Sequence, residues 1–198
     1  VGKSGMSGKE GKYGDWIYQG DHMLGQIMEA LKRNGQDKNT LLIATGDNGA
    51  AGRTYAPLRN NKSSIYEGGH REPFVARWPG KIKAGSVSNE IMSNLDWLPT
   101  LLAAAGEPDV KEKLLKSHRA AGEKFRVHLD GYNFLPYLTG QVDEGPREEF
   151  FYFSDDGDLL GLRYDNWKLH FKVQQQAGTL RIWQREFENL RLPYLFNL

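Results

Sequence analysis

The chain has 198 residues, of which 39% are hydrophobic, so it is long enough to bury one substantial core. Its 26 basic and 25 acidic side chains nearly cancel and leave a formal net charge of +1. This balance excludes a strong overall field for nucleic acid or for an anionic membrane, so any anion site must be local. No apolar run reaches the roughly 18 residues that span a bilayer. The absence of cysteine excludes disulfides, zinc–thiolate sites and a cysteine nucleophile within this sequence.

The first quarter of the chain predicts a loop, a helix and a strand. Glycine recurs at every third position through residues 1–15 without proline, which favours a flexible loop over a collagen-like segment. From Asp21 onwards apolar residues recur at helical spacing, which predicts an amphipathic helix of about four turns that stops at Gly35. A strand is predicted over residues 40–45. This order of helix and then strand fits a parallel sheet covered by helices.

The middle of the chain predicts a second strand and a second helix. The strand covers residues 73–78 and is closed by a Pro-Gly turn. The helix is capped by Asn94 or Asp96 and ends at Gly106, and we expect its leucines to form its apolar face. The charged residues 107–128 are expected to form a solvated connector with an exposed helical turn at 111–116. The expected apolar face comprises Leu98, Leu101 and Leu102.

From Glu148 the pattern changes to strands separated by short polar turns. The two-residue link Asp165-Asn166 favours a tight hairpin, so the tail is predicted to be an antiparallel meander of about four strands. We expect its aromatic residues to be core packing and not a platform for stacking bases, because basic residues are not interleaved with them. The predicted strands are Glu149–Ser154, Leu159–Tyr164, Trp167–Val173 and Thr179–Trp183.

The pentapeptide Thr45-Gly46-Asp47-Asn48-Gly49 follows directly after the first predicted strand. The carboxyl edge of a sheet is where open α/β folds place their chemistry. Asp47 and Asn48 would present two hard oxygen ligands there, which suit Ca²⁺ or Mg²⁺. The alternative is a simple Asp-Asn-Gly turn, and the pentapeptide by itself leaves both interpretations open.

A lysine-bearing segment, Leu58–Ser64, comes next and leads into a glycine-rich cluster, Tyr66–Pro73. Lys62 on this loop could fold back over a cation and bind an anionic ligand. Sulfate and phosphate esters need such a partner, because their free oxygens carry negative charge throughout the reaction. An inert surface lysine is the alternative.

These segments resemble, in order, the C-terminal half of a sulfatase of the bacterial arylsulfatase A-like type. The resemblance implies an α/β fold: part of an alkaline-phosphatase-like sheet with helices, followed by a small C-terminal α+β subdomain with an antiparallel sheet of about four strands. The family's usual Thr-Ser-Asp-Asn-Gly stands here with Gly46 in place of serine. The matching segments are residues 45–49, 58–62, 66–73, 77–82, 96–101, 127–133, 150–158, 162–168 and 193–198.

The resemblance also implies roles for individual residues. Asp47 and Asn48 correspond to two ligands of the family's divalent cation, Ca²⁺ or Mg²⁺, and Lys62 corresponds to the lysine that contacts the sulfate group. His70 is expected to be structural. Arg59 and Glu67 are expected to brace the loop, with a pairing between them as one way to do so.

Other parts of the family's site have no counterpart in this sequence. The family's nucleophile is a formylglycine made from Cys or Ser in a Cys/Ser-x-Pro-x-Arg motif, and this motif is absent. We therefore expect a C-terminal fragment, inactive by itself, whose nucleophile and remaining metal ligands lie upstream. The expected divisions are the end of the catalytic domain at residues 1–106, a connector at 107–147 and a truncated antiparallel-sheet subdomain at 148–198.

The expected function of the parent protein is hydrolysis of a sulfate monoester carried by a small molecule, a glycan or a lipid. Nucleic acid and a membrane span are not expected as parts of this function. A periplasmic or secreted location is expected, although the opening residues show no apolar core of a signal peptide. The rival hypotheses are a phosphate or phosphonate ester hydrolase of the same superfamily and a non-catalytic structural or binding domain. Substrate identity and oligomeric state stay open.

Overall fold

A computed structural model describes residues 7–51, 57–174 and 185–198. Three sheets are present in this part of the chain: a pair of strands β1–β2, a hairpin β3–β4, and a four-stranded sheet in the order β5-β6-β7-β8. The helices are α1 Ser7–Arg33, α2 Glu67–His70, α3 Trp97–Ala104, α4 Val110–Lys116 and α5 Leu135–Leu138. The strands are β1 Leu42–Thr45, β2 Phe74–Arg77, β3 His118–Ala120, β4 Glu123–Phe125, β5 Glu149–Phe153, β6 Leu159–Tyr164, β7 Trp167–Val173 and β8 Glu188–Asn197.

Helix α1 starts earlier than the sequence predicts. It begins at Ser7, so the prediction of a loop was wrong for residues 7–15, and residues 1–6 lie outside the described part. The glycine pattern nevertheless marks a break, because Gly11 adopts φ 61° and ψ −151°, far from helical values. Glycine lowers helix propensity by about 1 kcal/mol per residue but does not forbid a helix. The predicted end is confirmed, since the helix stops at Arg33.

The chain divides into two compact units. One contains the residues up to Ile43 together with Ala76–Ala84, and the other contains Ala44–Val75 together with Gly85–Leu198. The second unit holds the Asp47–Asn48 segment, the lysine-bearing loop and the four-stranded sheet. All the contacts of the candidate site described below lie within this unit.

A short 3-10 turn, Asn94–Asp96, leads into helix α3. Ser93 caps this turn, and the Asp96 carboxylate accepts a hydrogen bond from the Ser93 backbone N–H at 2.8 Å, which completes a capping box. Asp96 is the N-cap position of α3, as one of the two predicted alternatives has it, but its side chain makes no capping hydrogen bond to α3.

The buried face of α3 also differs from the predicted one. Thr100 is fully buried, donates to Tyr132 O and accepts from the Phe134 N–H at 2.9 Å, so the helix packs through this residue on the segment 132–134. Leu98 and Leu101 are 52% and 46% exposed within the described chain. The predicted leucine face was therefore wrong for Leu98 and Leu101. The hydrogen bonds of the Thr100 hydroxyl, and not the apolar periodicity, determine which face of the helix packs.

The C-terminal sheet is antiparallel throughout and confirms the predicted meander. Glu149 pairs with Tyr164 across β5 and β6, Gly161 with His170 across β6 and β7, and Lys168 with Phe196 across β7 and β8. The first three strands lie where the sequence predicts them. The fourth is β8, whereas the predicted strand Thr179–Trp183 lies outside the described residues.

Other elements complete the second unit. The predicted helical turn at 111–116 is confirmed as part of α4. The connector also contains a hairpin, β3–β4, that the sequence did not predict. A small apolar cluster of Ile65, Tyr152 and Leu160 joins the lysine-bearing loop to the sheet, with Phe150 and Phe187 packed against it. In the described residues, every helix is too short or too polar to cross a membrane.

A buried ion pair joins α3 to the start of the sheet. The Asp96 carboxylate is inaccessible and accepts from Arg147 Nε at 2.9 Å and Nη2 at 2.6 Å, and also from the Tyr132 N–H at 2.7 Å. The guanidinium of Arg147 is 5% exposed. Burial would lower the pKa of Arg147, but the hydrogen bonds and charge of Asp96 outweigh it and raise that pKa, so the guanidinium stays charged.

We expect Asp96→Ala to lower the free energy of unfolding of the natural protein by about 3–5 kcal/mol, because the substitution leaves a buried guanidinium without its partner. Urea unfolding followed by fluorescence measures the loss. Glu107→Ala is the matched control, since it removes an exposed ion pair with Lys113 and should cost about 0–1 kcal/mol. Equal losses for the two variants would show that the buried pair is not a stability determinant.

Candidate active-site cleft

Asp47 and Asn48 lie on the wall of a cleft of about 590 Å³. They follow β1 directly, and the Gly46 N–H donates to Pro73 O at 3.3 Å, which ties the end of β1 to the start of β2. The Asp47 side chain is exposed and Asn48 is half-buried. The cleft is also lined by Glu67, His70, Arg71, Glu72, Trp97, Tyr137, Tyr152 and Arg163, among others.

The donor groups in this corner of the cleft fit a hard divalent cation. The amide nitrogen of Asn48 donates to Gly49 O at 3.1 Å, so the amide oxygen is the atom available to a cation. Burial and the neighbouring Asp47 raise the pKa of Glu72, and its Oε1 is buried without a hydrogen-bond partner. Carboxylate and amide oxygens are ligands of Ca²⁺ and Mg²⁺. Within the described ranges no three His, Cys, Asp or Glu residues form a metal-binding group.

The structure brings the Lys62 loop against the same segment through its backbone. The Lys62 N–H donates to Ala50 O at 3.2 Å, directly after the Asp47–Gly49 turn. The side chain of Lys62 is half-buried and is not among the residues that line the cleft. Asp47 and Asn48 thus lie on the same wall of the cleft. A main-chain hydrogen bond links Lys62 to Ala50, which follows the Asp47–Gly49 turn.

Glycines allow three backbone segments to pack without side chains between them. The Gly49 N–H donates to Gly69 O at 2.9 Å, and the Gly68 N–H donates to Arg59 O at 2.9 Å. A Cβ at Gly49 would lie 1.9 Å from Gly68 O, and one at Gly68 would lie 2.2 Å from Asn60 O. Because no side chain fits at these positions, the segments carrying Asp47 and Lys62 are both held against residues 66–70.

A buried cluster of charges lies behind residues 66–70. Lys168 of β7 is 1% exposed, and its ammonium lies 2.9 Å from Glu67 Oε1 and also donates to Ile65 O. Arg163 of β6 lies 3.5 Å from Glu67 Oε2. Burial lowers the pKa of Lys168 to about 8 against the attraction of Glu67. Burial would raise the pKa of Glu67, but Lys168, His70 and Arg163 outweigh it and lower that pKa, so the pair is ionised near neutral pH.

His70 closes this cluster as a neutral ring. Its Nδ1 lies 3.0 Å from Tyr66 O, which can only accept, so Nδ1 carries the hydrogen and Nε2 accepts. The Tyr152 hydroxyl and the Lys168 ammonium lie 3.0 and 3.2 Å from Nε2. Burial and the Lys168 cation lower the pKa of His70 to about 4. These contacts give His70 the structural place that the sequence predicts.

Arg59 and Glu67 do brace the loop, but through other partners. The Arg59 guanidinium lies 4.1 Å from the centre of the Tyr66 ring, and Glu67 pairs with Lys168 and Arg163 of the sheet. The idea of a pairing between the two residues was wrong, because strands β6 and β7 bring two cations to Glu67.

A second histidine, His170 of β7, is inaccessible to solvent. Its ring lies 4.8 Å from the Tyr66 ring and 4.9 Å from the Phe196 ring. Neither ring nitrogen has a hydrogen-bond partner among the described residues. Burial, with smaller effects from Lys168 and Arg59, lowers the pKa of His170 to about 4.

The sequence interpretation gave no role to Lys168, Arg163, Tyr152 or Glu72. A signal for Lys168 was present, because Lys168 and His170 are two residues apart on a strand and therefore share one face. That face is the buried one, so its polar residues needed partners. The identity of the partners could not be read from the strand.

Known proteins that are similar to this chain are sulfatases. The family model described as Sulfatase matches residues 8–107. Human arylsulfatase A is 35% identical over 85% of this chain, which corresponds to 32% of that protein. The N-acetylgalactosamine-6-sulfatase of Canis lupus familiaris is 32% identical over 82% of this chain and 29% of that protein.

Solved structures show the same relationship. The PsFucS1 sulfatase from Pseudoalteromonas sp. superposes with a TM-score of 0.71 at 30% identity, covering 87% of this chain and 33% of that chain. Ps i-CgsB in complex with k-i-k-neocarrahexaose gives a TM-score of 0.62 at 31% identity, covering 81% and 34%.

The chain belongs to the sulfatase family, and its fold is the alkaline-phosphatase-like fold of sulfatases. The predictions of family and fold class are confirmed. The chain spans about a third of the length of the curated relatives it matches.

The neutral His170 predicts how stability depends on pH. Its pKa falls from 6.5 to about 4 on folding, so between these values the unfolded chain binds more protons than the folded one. Stability is therefore retained above about pH 6.5 and lost as the pH falls toward 4. We expect His170 to contribute on the order of 2 kcal/mol to this loss by about pH 4.5.

Thermal unfolding of the natural protein from pH 7 to about pH 4.5 checks this expectation. In His170→Phe, which keeps an aromatic ring between Tyr66 and Phe196, the loss on acidification should be smaller than in the wild type. His128→Phe is the control, because the His128 side chain is 70% exposed. Identical pH profiles for the wild type and His170→Phe would contradict the assignment.

Proposed function

We propose that the natural protein containing this chain hydrolyses sulfate monoesters, with Asp47 and Asn48 as ligands of a divalent cation, Ca²⁺ or Mg²⁺, and Lys62 as the residue that contacts the sulfate. The observation that carries the proposal is the placement of the Asp47–Asn48 oxygens on a cleft wall, in a chain that belongs to the sulfatase family. Glu72 Oε1, which is buried without a hydrogen-bond partner, also supports the proposal. The Glu72 and Asp47 carboxylates repel each other, and a bound cation would relieve this repulsion.

Each residue has a defined task in this proposal. Asp47 and Asn48 provide oxygen ligands, and the bound cation would polarise and orient the sulfate oxygens. Lys62 would neutralise negative charge on the sulfate, which persists throughout ester cleavage. The Gly49 and Gly68 contacts hold both segments in place before the substrate binds.

The nucleophile is proposed to be a formylglycine formed in a sequence segment upstream of this chain. The chain by itself would then bind a cation weakly and turn over no substrate. The division into the end of a catalytic domain, a connector and an antiparallel-sheet subdomain belongs to the same proposal, as does a periplasmic or secreted location.

The proposed substrates include sulfate esters of glycans, of aryl groups and of lipids. The names of the relatives refer to N-acetylgalactosamine 6-sulfate and to an oligosaccharide complex, so a sulfated glycan is one candidate for this protein, beside aryl and lipid sulfates. A phosphate ester is the rival substrate, because oxygen ligands and a lysine would bind it as well.

We expect Asp47→Ala in the natural protein to lower the bound calcium or magnesium and the rate of aryl sulfate hydrolysis together, since one charged ligand is lost. Metal content by plasma emission spectrometry and kcat/KM are the measurements. A loss of about 100-fold or more in kcat/KM is expected, as for removal of a group that stabilises transition-state charge. Unchanged metal stoichiometry would remove Asp47 from the ligand set.

We expect Lys62→Ala to lower kcat for the aryl sulfate by about 100-fold while the metal content stays at the wild-type level. The reason is that the ammonium acts on the sulfate and not on the cation. Lys81→Ala is the control, because the Lys81 N–H donates to Trp78 O, whereas the Lys62 N–H donates to Ala50 O beside the Asp47–Gly49 segment. Wild-type kinetics for Lys62→Ala would show that this lysine takes no part in the reaction.

A further inference from the structure

Lys168 is a buried cation that the proposed chemistry does not use. Its side chain is 2% exposed, on the strand β7 of the C-terminal sheet. Its ammonium faces three acceptors, Ile65 O, Glu67 Oε1 and His70 Nε2, and its nitrogen lies 4.0 Å from the centre of the Tyr152 ring. Because Nε2 of His70 has a single lone pair and also receives the Tyr152 hydroxyl, the ammonium is held chiefly by Ile65 O and Glu67 Oε1.

These acceptors all belong to one short segment, residues 65–70, which we term the held segment. Glu67 within it is 7% exposed and receives a second cation, Arg163, from the neighbouring strand. His70 at its end is fixed by Tyr152 of β5. Three strands of the C-terminal sheet therefore contact the held segment through polar groups.

The held segment also contacts the candidate site through its backbone. Gly69 O accepts from the N–H of Gly49, next to Asn48, and the Gly68 N–H donates to Arg59 O at the base of the lysine-bearing loop. A Cβ at Gly49 or Gly68 would collide with backbone oxygens, so the three segments are in direct main-chain contact. A shift of the held segment must therefore move the Asp47–Asn48 turn, the Lys62 loop or both.

We propose that Lys168 is a positioning residue: by binding Glu67 and Ile65 it fixes the held segment, and through the glycine contacts it sets the positions of Asp47, Asn48 and Lys62. The C-terminal sheet is thus part of the catalytic apparatus. This inference rests on the proposed function, and it assigns to the sheet a role in metal and sulfate binding.

The energetics of burial support a positional role. Taking an ammonium and a carboxylate out of water costs several kcal/mol per ion, and apolar residues of similar size often give equal or greater stability. The pair is directional, because each charge accepts only a few geometries, whereas an apolar contact would let the held segment slide. A site for a cation and a sulfate requires that constraint, since a displacement of about 1 Å can lower a rate about 100-fold.

The test compares Lys168→Met and Glu67→Gln with the wild type in the natural full-length protein. Calcium affinity by isothermal titration calorimetry and kcat and KM for an aryl sulfate are measured well below the unfolding temperature and normalised to folded protein. We expect both variants to bind calcium about 10-fold or more weakly and to lose about 10- to 100-fold in kcat.

Lys172→Met is the matched control. Lys172 lies on the same strand and pairs at 2.6 Å with Asp158, which is 53% exposed and is not part of the held segment. This variant should keep the calcium affinity and kcat of the wild type. Lys168→Arg retains the charge and should recover part of the calcium affinity that Lys168→Met loses.

A purely structural role predicts a different result. In that case the variants unfold at lower temperature, but the folded molecules retain wild-type calcium affinity and kcat, and this outcome would overturn the proposal. If Lys168→Met does not fold, the Glu67→Gln variant provides the test, because this substitution preserves the shape of the side chain and removes only its charge. If the wild type hydrolyses no sulfate ester, the proposed function fails, whereas the calcium affinities still test whether Lys168 positions Asp47 and Asn48.

Discussion

The ion pair between Glu67 and Lys168 is the constraint on which the candidate site depends. Both side chains are buried, and their attraction is strong because little water screens it. The pair joins a short glycine-rich segment to the C-terminal sheet, two parts of the chain that are far apart in sequence. Without it, residues 66–70 would be connected to the sheet by the longer Arg163–Glu67 pair, the hydrogen bond between His70 and Tyr152, and apolar contacts such as that between the Tyr66 and His170 rings. Apolar contacts of this kind stabilise a fold, but they do not fix a loop in one direction.

The glycines transmit this constraint to the functional residues. Gly49, Gly68 and Gly69 allow main chain to contact main chain, so the turn with Asp47 and Asn48 and the loop with Lys62 share one support. Loops usually carry function because a rigid scaffold positions them. Here the scaffold is a sheet made by the last part of the chain, which explains how a site near residue 47 comes to depend on a lysine at 168. Gly46, which replaces the family's usual serine, leaves room for the Glu72 carboxylate beside Asp47.

Local sequence patterns predicted the elements whose stability is local. The end of α1, the strands β1 and β2, the turn at α4 and three strands of the C-terminal sheet lie where periodicity and turn residues placed them. Two features were not predicted because distant contacts decide them. The face of α3 is selected by Thr100 and its partners at 132–134, and strand β8 forms by pairing with β7. Such contacts leave no periodic trace in the segments that make them.

The sequence by itself determined the membership of the sulfatase family and which residues could serve as ligands, because ordered motifs and oxygen-bearing side chains are local properties of the chain. Asp47, Asn48 and Lys62 were identified in this way, and their roles remain proposals. Only the tertiary structure decided what holds them. The partners of Glu67 lie on strands β6 and β7, about a hundred residues further along the chain, so no local pattern could specify the pairing. Burial also decided the role of Lys168. A cation that is removed from water must be paired, so the Lys168 ammonium is fixed against Glu67.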